Sequence, residues 1–100
     1  MFQNVHTLFK TVMADWEMMS KTFDDEGADW AERFEHHFYL FIDELKKWFN
    51  TLENRPSTVE EAEELPEIKE LLEKLPGPLQ LNFLTELEEI VDHIETQRFD

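Results

Sequence analysis

Residues 29–52 read DWAERFEHHFYLFIDELKKWFNTL, and within them Phe34, Phe38, Phe41, Leu45, Trp48 and Leu52 recur at alternating steps of four and three. That spacing follows the 3.6-residue turn and gathers the large apolar side chains on one stripe of a helix. Ile42 and Phe49 widen the stripe to the arc of a bundle helix. Asp29 and Glu32 stand three apart, a capping-box spacing with Asp in place of Ser or Thr, and Lys46 and Lys47 come late, where cations complement the helix dipole. The pattern predicts a helix from Asp29 to about Asn54, stopped before Pro56.

Upstream, Phe2, Phe9, Trp16 and Phe23 stand seven apart, with Val5, Val12 and Met19 three residues after the first three. This is an a/d seam, broadened by Leu8 and Met13, and it predicts a first helix over about 4–22. The run Asp24-Asp25-Glu26-Gly27 then reads as the turn into the next helix, with glycine free for a left-handed conformation and acids suited to a helix start. Eleven of the 13 aromatic residues precede residue 50. Rings so concentrated imply that the first two helices make the main packing contact, or that part of their aromatic surface meets another subunit.

Downstream, Ser57-Thr58-Val59-Glu60-Glu61 offers two overlapping capping boxes, Ser57 with Glu60 and Thr58 with Glu61. Pro66 disfavours helical backbone at Leu65, so the third helix is expected to break there and restart, carrying Ile68, Leu71, Leu72 and Leu75 inward. Pro76-Gly77-Pro78 ends that helix and presets a last one, with Phe83, Leu84, Leu87, Ile90, Val91 and Ile94 on its stripe. No strand-like alternation appears anywhere. The expected fold is all-α: an antiparallel up-down bundle of about four helices, the third short and interrupted at Pro66, in a single domain over residues 1–100.

Composition narrows the function classes. Nine Lys+Arg against 24 Asp+Glu leave a net charge of −15, which opposes direct nucleic-acid binding and attraction to anionic membranes. There is no cysteine, so disulfides and thiolate chemistry are excluded. The longest apolar run is 38–42, where a spanning helix needs about 20 residues, and the first residues lack a basic and apolar leader. A cytoplasmic protein is the expectation.

Motifs for chemistry are sparse. The residues three before His6, His36, His37 and His93 are Gln3, Arg33, Phe34 and Ile90, so the Glu-x-x-His pair of two-metal bundles is missing. Glu32 with His36 and Glu89 with His93 have i, i+4 spacing and form the metal-binding alternative, although both pairs fall opposite the apolar stripes. His37 lies at the edge of its helix's stripe and is expected to find a hydrogen-bond partner there. The acidic run 24–29 fails as a calcium loop. With Gly27 at the sixth position the twelfth residue is Arg33, and starting at Asp24 puts Asp29 where glycine is required. Ser20 and Ser57 sit in no nucleophile context, and Gly27 and Gly77 are too far apart for a phosphate loop. No catalytic residue, metal ligand or cofactor is assigned, and the chain is read as not an enzyme.

Two surface features remain. Glu60, Glu61, Glu64 and Glu67 crowd the third helix and present an acidic face able to steer a basic protein partner. Tyr39 and Leu40 lie about 120 to 140° from the centre of their helix's stripe, an apolar patch with Arg33, His36 and Lys47 near it. Burial of that patch against a third helix of the same chain is the simpler alternative. The expected function is a small acidic noncatalytic interaction protein that binds another protein through one or both surfaces. The alternatives are a self-associating bundle, a homodimer completed across helices 1 and 2, and the metal-binding bundle.

Overall fold

The computed structural model describes residues 2–22 and 25–97, with the backbone alone at 25, 26 and 93–97. The fold is all-α. Its described helices are α1 (Phe2–Lys21), α2 (Asp25–Phe49), α3 (Val59–Glu63), α4 (Pro66–Lys74) and α5 (Gly77–Gln97). Four long helices and one short one are the inventory that the periodicity requires. Contacts divide the chain into two compact units, Met1–Leu52 and Glu53–Asp100.

The first unit is a helical hairpin of α1 on α2. Three ring pairs define its seam: Phe2 with Trp48 at 4.8 Å between centroids, Phe9 with Phe41 at 5.7 Å, and Trp16 with Phe34 at 5.7 Å. Each advance of seven residues along α1 meets a retreat of seven along α2, so the helices run antiparallel in one register. Val5, Phe9 and Val12 of α1 and Phe38, Phe41, Ile42, Leu45, Trp48 and Phe49 of α2 are buried. Each such large side chain contributes about 1.5–3 kcal/mol by leaving water, and each ring pair adds about 0.5–1.5 kcal/mol. Rings concentrated in the first half of the sequence therefore close on each other within one hairpin.

The helix boundaries correct the sequence reading in two places. α2 begins at Asp25, not Asp29, so Gly27 lies inside its first turn and not in a left-handed turn. A Cβ at Gly27 would stand 3.4 Å from the carbonyl oxygen of Thr22, an ordinary van der Waals contact. α2 also stops at Phe49, five residues short of Asn54. Thr51 donates its hydroxyl to the Trp48 carbonyl at 2.6 Å, while its backbone N–H takes the same oxygen at 2.9 Å. Side-chain competition of this kind tightens the last turn and ends the helix, leaving Leu52 half-buried beyond it.

In the second unit, α3 packs against α4 and α5. Of the two overlapping boxes, only the Thr58–Glu61 pair makes a cap bond, and its return half closes on Ser57. Thr58 is the N-cap, with extended backbone (φ −132°, ψ 158°), and its hydroxyl accepts from the Glu61 N–H at 3.2 Å. The Glu61 carboxylate reaches past Thr58 to accept from the Ser57 N–H at 3.1 Å. Leu65 turns extended before Pro66, as proline demands, and helix resumes with Pro66 in the first turn. The expected interrupted third helix is thus two helices. Leu75 is extended ahead of Pro76, and the Pro76 carbonyl accepts the first N–H groups of α5, from Leu79 at 2.9 Å and Gln80 at 3.0 Å. Gln80 in turn donates its side-chain amide to the carbonyls of Leu72 and Leu75, satisfying orphan acceptors at the end of α4. Among the described residues of this unit, Ala62, Ile68, Leu71, Leu75, Leu79, Phe83, Leu87, Ile90 and Val91 are buried, together with Pro56. Ile94 of the expected stripe has its side chain outside the described residues.

Because Thr58 alone caps α3, Thr58→Ala is expected to cost about 1 kcal/mol and Ser57→Ala only about 0.3 kcal/mol. Urea unfolding of the two variants checks the order, and equal losses would show that both boxes operate.

Candidate functional site

The acidic candidates come from the segment that Thr58 and Pro66 organise. Glu60 and Glu61 occupy the first turn of α3, Glu64 is its C-cap, and Glu67 lies in the first turn of α4. Acids at helix starts are stabilised by the dipole, which explains part of their crowding. Glu60, Glu61 and Glu64 are exposed and Glu67 is half-buried. Glu61 is engaged by the backbone N–H and hydroxyl of Ser57, so its carboxylate is committed to the cap. No described cation forms an ion pair with Glu60, Glu64 or Glu67. The second unit holds four Lys+Arg against 14 Asp+Glu, a net of −10, and the first holds five against ten, a net of −5; together these are the −15 of the chain.

Tyr39 and Leu40 lie on α2, on the side away from the ring seam. They are 53% and 39% exposed. Successive residues on a helix diverge by about 100°, and the two side chains therefore flank the outer face on opposite sides. Between them runs a polar column of His36, Asp43 and Lys47, all exposed. A third exposed large apolar residue, Leu81 on α5, is not singled out by the sequence reading.

A site that the sequence reading missed lies across the hairpin. Asp15 of α1 is buried, and its Oδ2 lies 2.5 Å from Nδ1 of His37 on α2. Side-chain exposure is 7% for Asp15 and 30% for His37. This is the partner expected for His37 at the edge of its stripe. An ionised carboxylate has no hydrogen to give, so against it the imidazole donates. The signal was present in Asp15, which stands beside Trp16 at the margin of the first stripe. It becomes legible only when the register of α1 on α2 is known.

His37 also lines an open depression of about 670 Å³ with Asp29, Glu32, Arg33 and His36. The Arg33 guanidinium lies 4.9 Å from the Trp30 ring centroid, a cation–π distance that holds it on this side of α2. Of the metal alternative, Glu32 and His36 are exposed on α2, Glu89 is exposed on α5, and the side chain of His93 lies outside the described residues. Among the described residues, no three or more His, Asp or Glu groups converge as metal ligands. Asp24 of the acidic run lies outside the described residues, and the backbone of 25–29 belongs to α2. Among the described residues, no helix is long and apolar enough to cross a membrane. Comparisons with protein-family models, curated proteins and solved structures found no match to this chain.

Among the described residues, the carboxyls of Glu17 and Glu86 depart from their ordinary range. The Lys21 ammonium, 2.8 Å from Glu17, lowers the Glu17 carboxyl. Partial burial, and then the neighbouring charge of Glu89, raise that of Glu86. A carboxyl raised on folding disfavours the folded state once it ionises. Its penalty is full above the folded-state value and fades as the pH falls toward the unfolded one. Glu86→Gln is therefore expected to raise the melting temperature at pH 7 by about 1–2 °C and to give no gain near pH 4. Thermal melts at both values check the sign.

The Asp15–His37 pair carries an asymmetric expectation. His37→Ala leaves a buried carboxylate without its partner and should cost about 2–3 kcal/mol, whereas Asp15→Ala leaves a histidine that water reaches and should cost about 1 kcal/mol. Chemical unfolding of both variants at one pH measures the difference, and the reverse order would contradict the assigned burial.

Proposed function

We propose that this chain is a noncatalytic interaction protein of the cytoplasm that binds a basic protein partner through the acidic face of α3 and the start of α4. The observation that carries the reading is the exposure of Glu60 and Glu64 beside Glu67, with no ion pair to a described cation, in a unit of net charge −10. Carboxylates concentrated in this way make the local potential more negative and accelerate encounter with a cationic surface. The same charge disfavours nucleic acid and anionic lipid as direct ligands. Glu61 acts in this surface by capping, holding the Ser57–Thr58 entry so that Glu60 and Glu64 are presented on a formed helix.

The test is residue-specific. A basic partner recovered from native host lysate at low salt and released at moderate salt is purified and titrated against three forms of the chain. Reversal of Glu60, Glu64 and Glu67 to Lys is expected to weaken binding by about 30-fold or more, while reversal of Glu88 and Glu89 on α5 changes it by no more than about threefold. Equal losses in the two variants would reduce the effect to net charge and overturn the assigned face.

A further inference from the structure

We infer that the outer face of α2 is a self-complementary surface on which a second copy of the chain docks antiparallel. The inference is independent of the acidic face, since every residue involved lies in the first unit. With Phe38 as centre, Arg33 and Asp43 stand five residues to either side, and Asp29 and Lys47 stand nine. Glu32 and Glu44 are each six away, and Lys46 is eight. An isologous pair about a two-fold axis beside Phe38 places Arg33 opposite Asp43 of the second copy, and Asp29 opposite its Lys47. At about 100° per residue, Glu32 and Lys46 share one flank of the face and Arg33 and Glu44 the other. Like flanks meet in such a pair, so both flanks also match acid to base. A parallel pair in register would set each charge against its own copy, and the pattern therefore selects the antiparallel arrangement.

The accessible surface agrees with the charge order. Asp29, Glu32, Arg33, His36, Tyr39, Leu40, Asp43, Lys47 and Asn50 are all exposed. Tyr39 and Leu40 fall next to the axis on either side of His36, so the apolar area lies near the middle of the contact and the charges of Asp29, Arg33 and Lys47 toward its ends. Lys47 lies 3.3 Å from Glu44 of its own helix and Arg33 lies 4.9 Å from the Trp30 ring centroid, contacts that a docked copy must share or displace. Against the chain's net −15, this face is close to neutral, which lowers the repulsion that two copies must overcome. The contact is one helix wide, smaller than the roughly 1,600 Å² of a standard interface, and this sets a reversible association in place of an obligate one.

Sedimentation of the full chain at low ionic strength, from about 5 µM to about 0.5 mM, tests this. A monomer–dimer equilibrium is expected, weakened about tenfold or more by Lys47→Glu and restored to within about threefold when Asp29→Lys is added in the same chain. A monomer throughout, a dimer indifferent to Lys47→Glu, or a loss that the second change does not restore would each overturn it. The chain has no cysteine, so single replacements report the register directly. His36→Cys places two thiols about 6 Å apart along the axis and is expected to oxidise readily to a covalent dimer, whereas Asn50→Cys places them about 36 Å apart and is not. Equal or reversed yields would exclude the antiparallel register.

Discussion

The ring seam between α1 and α2 is the constraint on which the rest of the first unit depends. Phe9 on Phe41, flanked by Phe2 on Trp48 and Trp16 on Phe34, repeats one contact at seven-residue steps along both helices. Sliding one helix by a turn breaks all three contacts together, so the seam is cooperative. Burial of apolar area supplies most of the energy, but area alone tolerates several registers. The Asp15–His37 hydrogen bond does not, because a slip leaves the buried carboxylate without a partner at a cost of about 1–3 kcal/mol. The rings supply attraction and the polar pair selects one alignment, as a single buried polar residue does in coiled coils.

That division of labour decides which residues are left for function. With all three ring pairs turned inward, α2 presents to its outside a face made of charges, one histidine, Tyr39 and Leu40. The second unit is organised differently. Proline at 66 and 76, the Thr58 cap and the Gln80 amide shape its short helices, and large aliphatic side chains fill it. Glutamates there serve two ends at once: they favour helix starts, as Glu61 does through Ser57, and they concentrate negative charge on α3 and the beginning of α4. The two units thus differ in chemistry as well as sequence, one nearly balanced on its outer face and the other strongly acidic.

Much of this was legible in the residues. The all-α class followed from spacing alone, and so did the break at Leu65–Pro66 and the partnered state of His37, whereas spacing left Ser57 and Thr58 both open as the cap of α3. Both ends of α2 were not legible. At its start, acids and a glycine suit a turn and a first helical turn equally well, and only the backbone of 25–29 distinguishes them. At its end, Leu52 continues the apolar period, but the Thr51 hydroxyl captures the Trp48 carbonyl and ends the helix early. Asp15 was invisible for a different reason. A carboxylate at the margin of a stripe looks solvated until the opposing helix is placed, and its partner lies 22 residues away. Tyr39 and Leu40 could be located on the wheel, whereas their exposure required coordinates.

The most direct test of the hairpin's register is a set of proton–proton contacts in solution, measured by NMR on the labelled full chain. The seam predicts cross-peaks between the rings of Phe2 and Trp48, Phe9 and Phe41, and Trp16 and Phe34, together with a hydrogen-bonded Nδ1 proton on His37. Ring contacts displaced by three, four or seven residues along either helix, or a His37 ring with both nitrogens free to solvent, would contradict the register and the role assigned to Asp15.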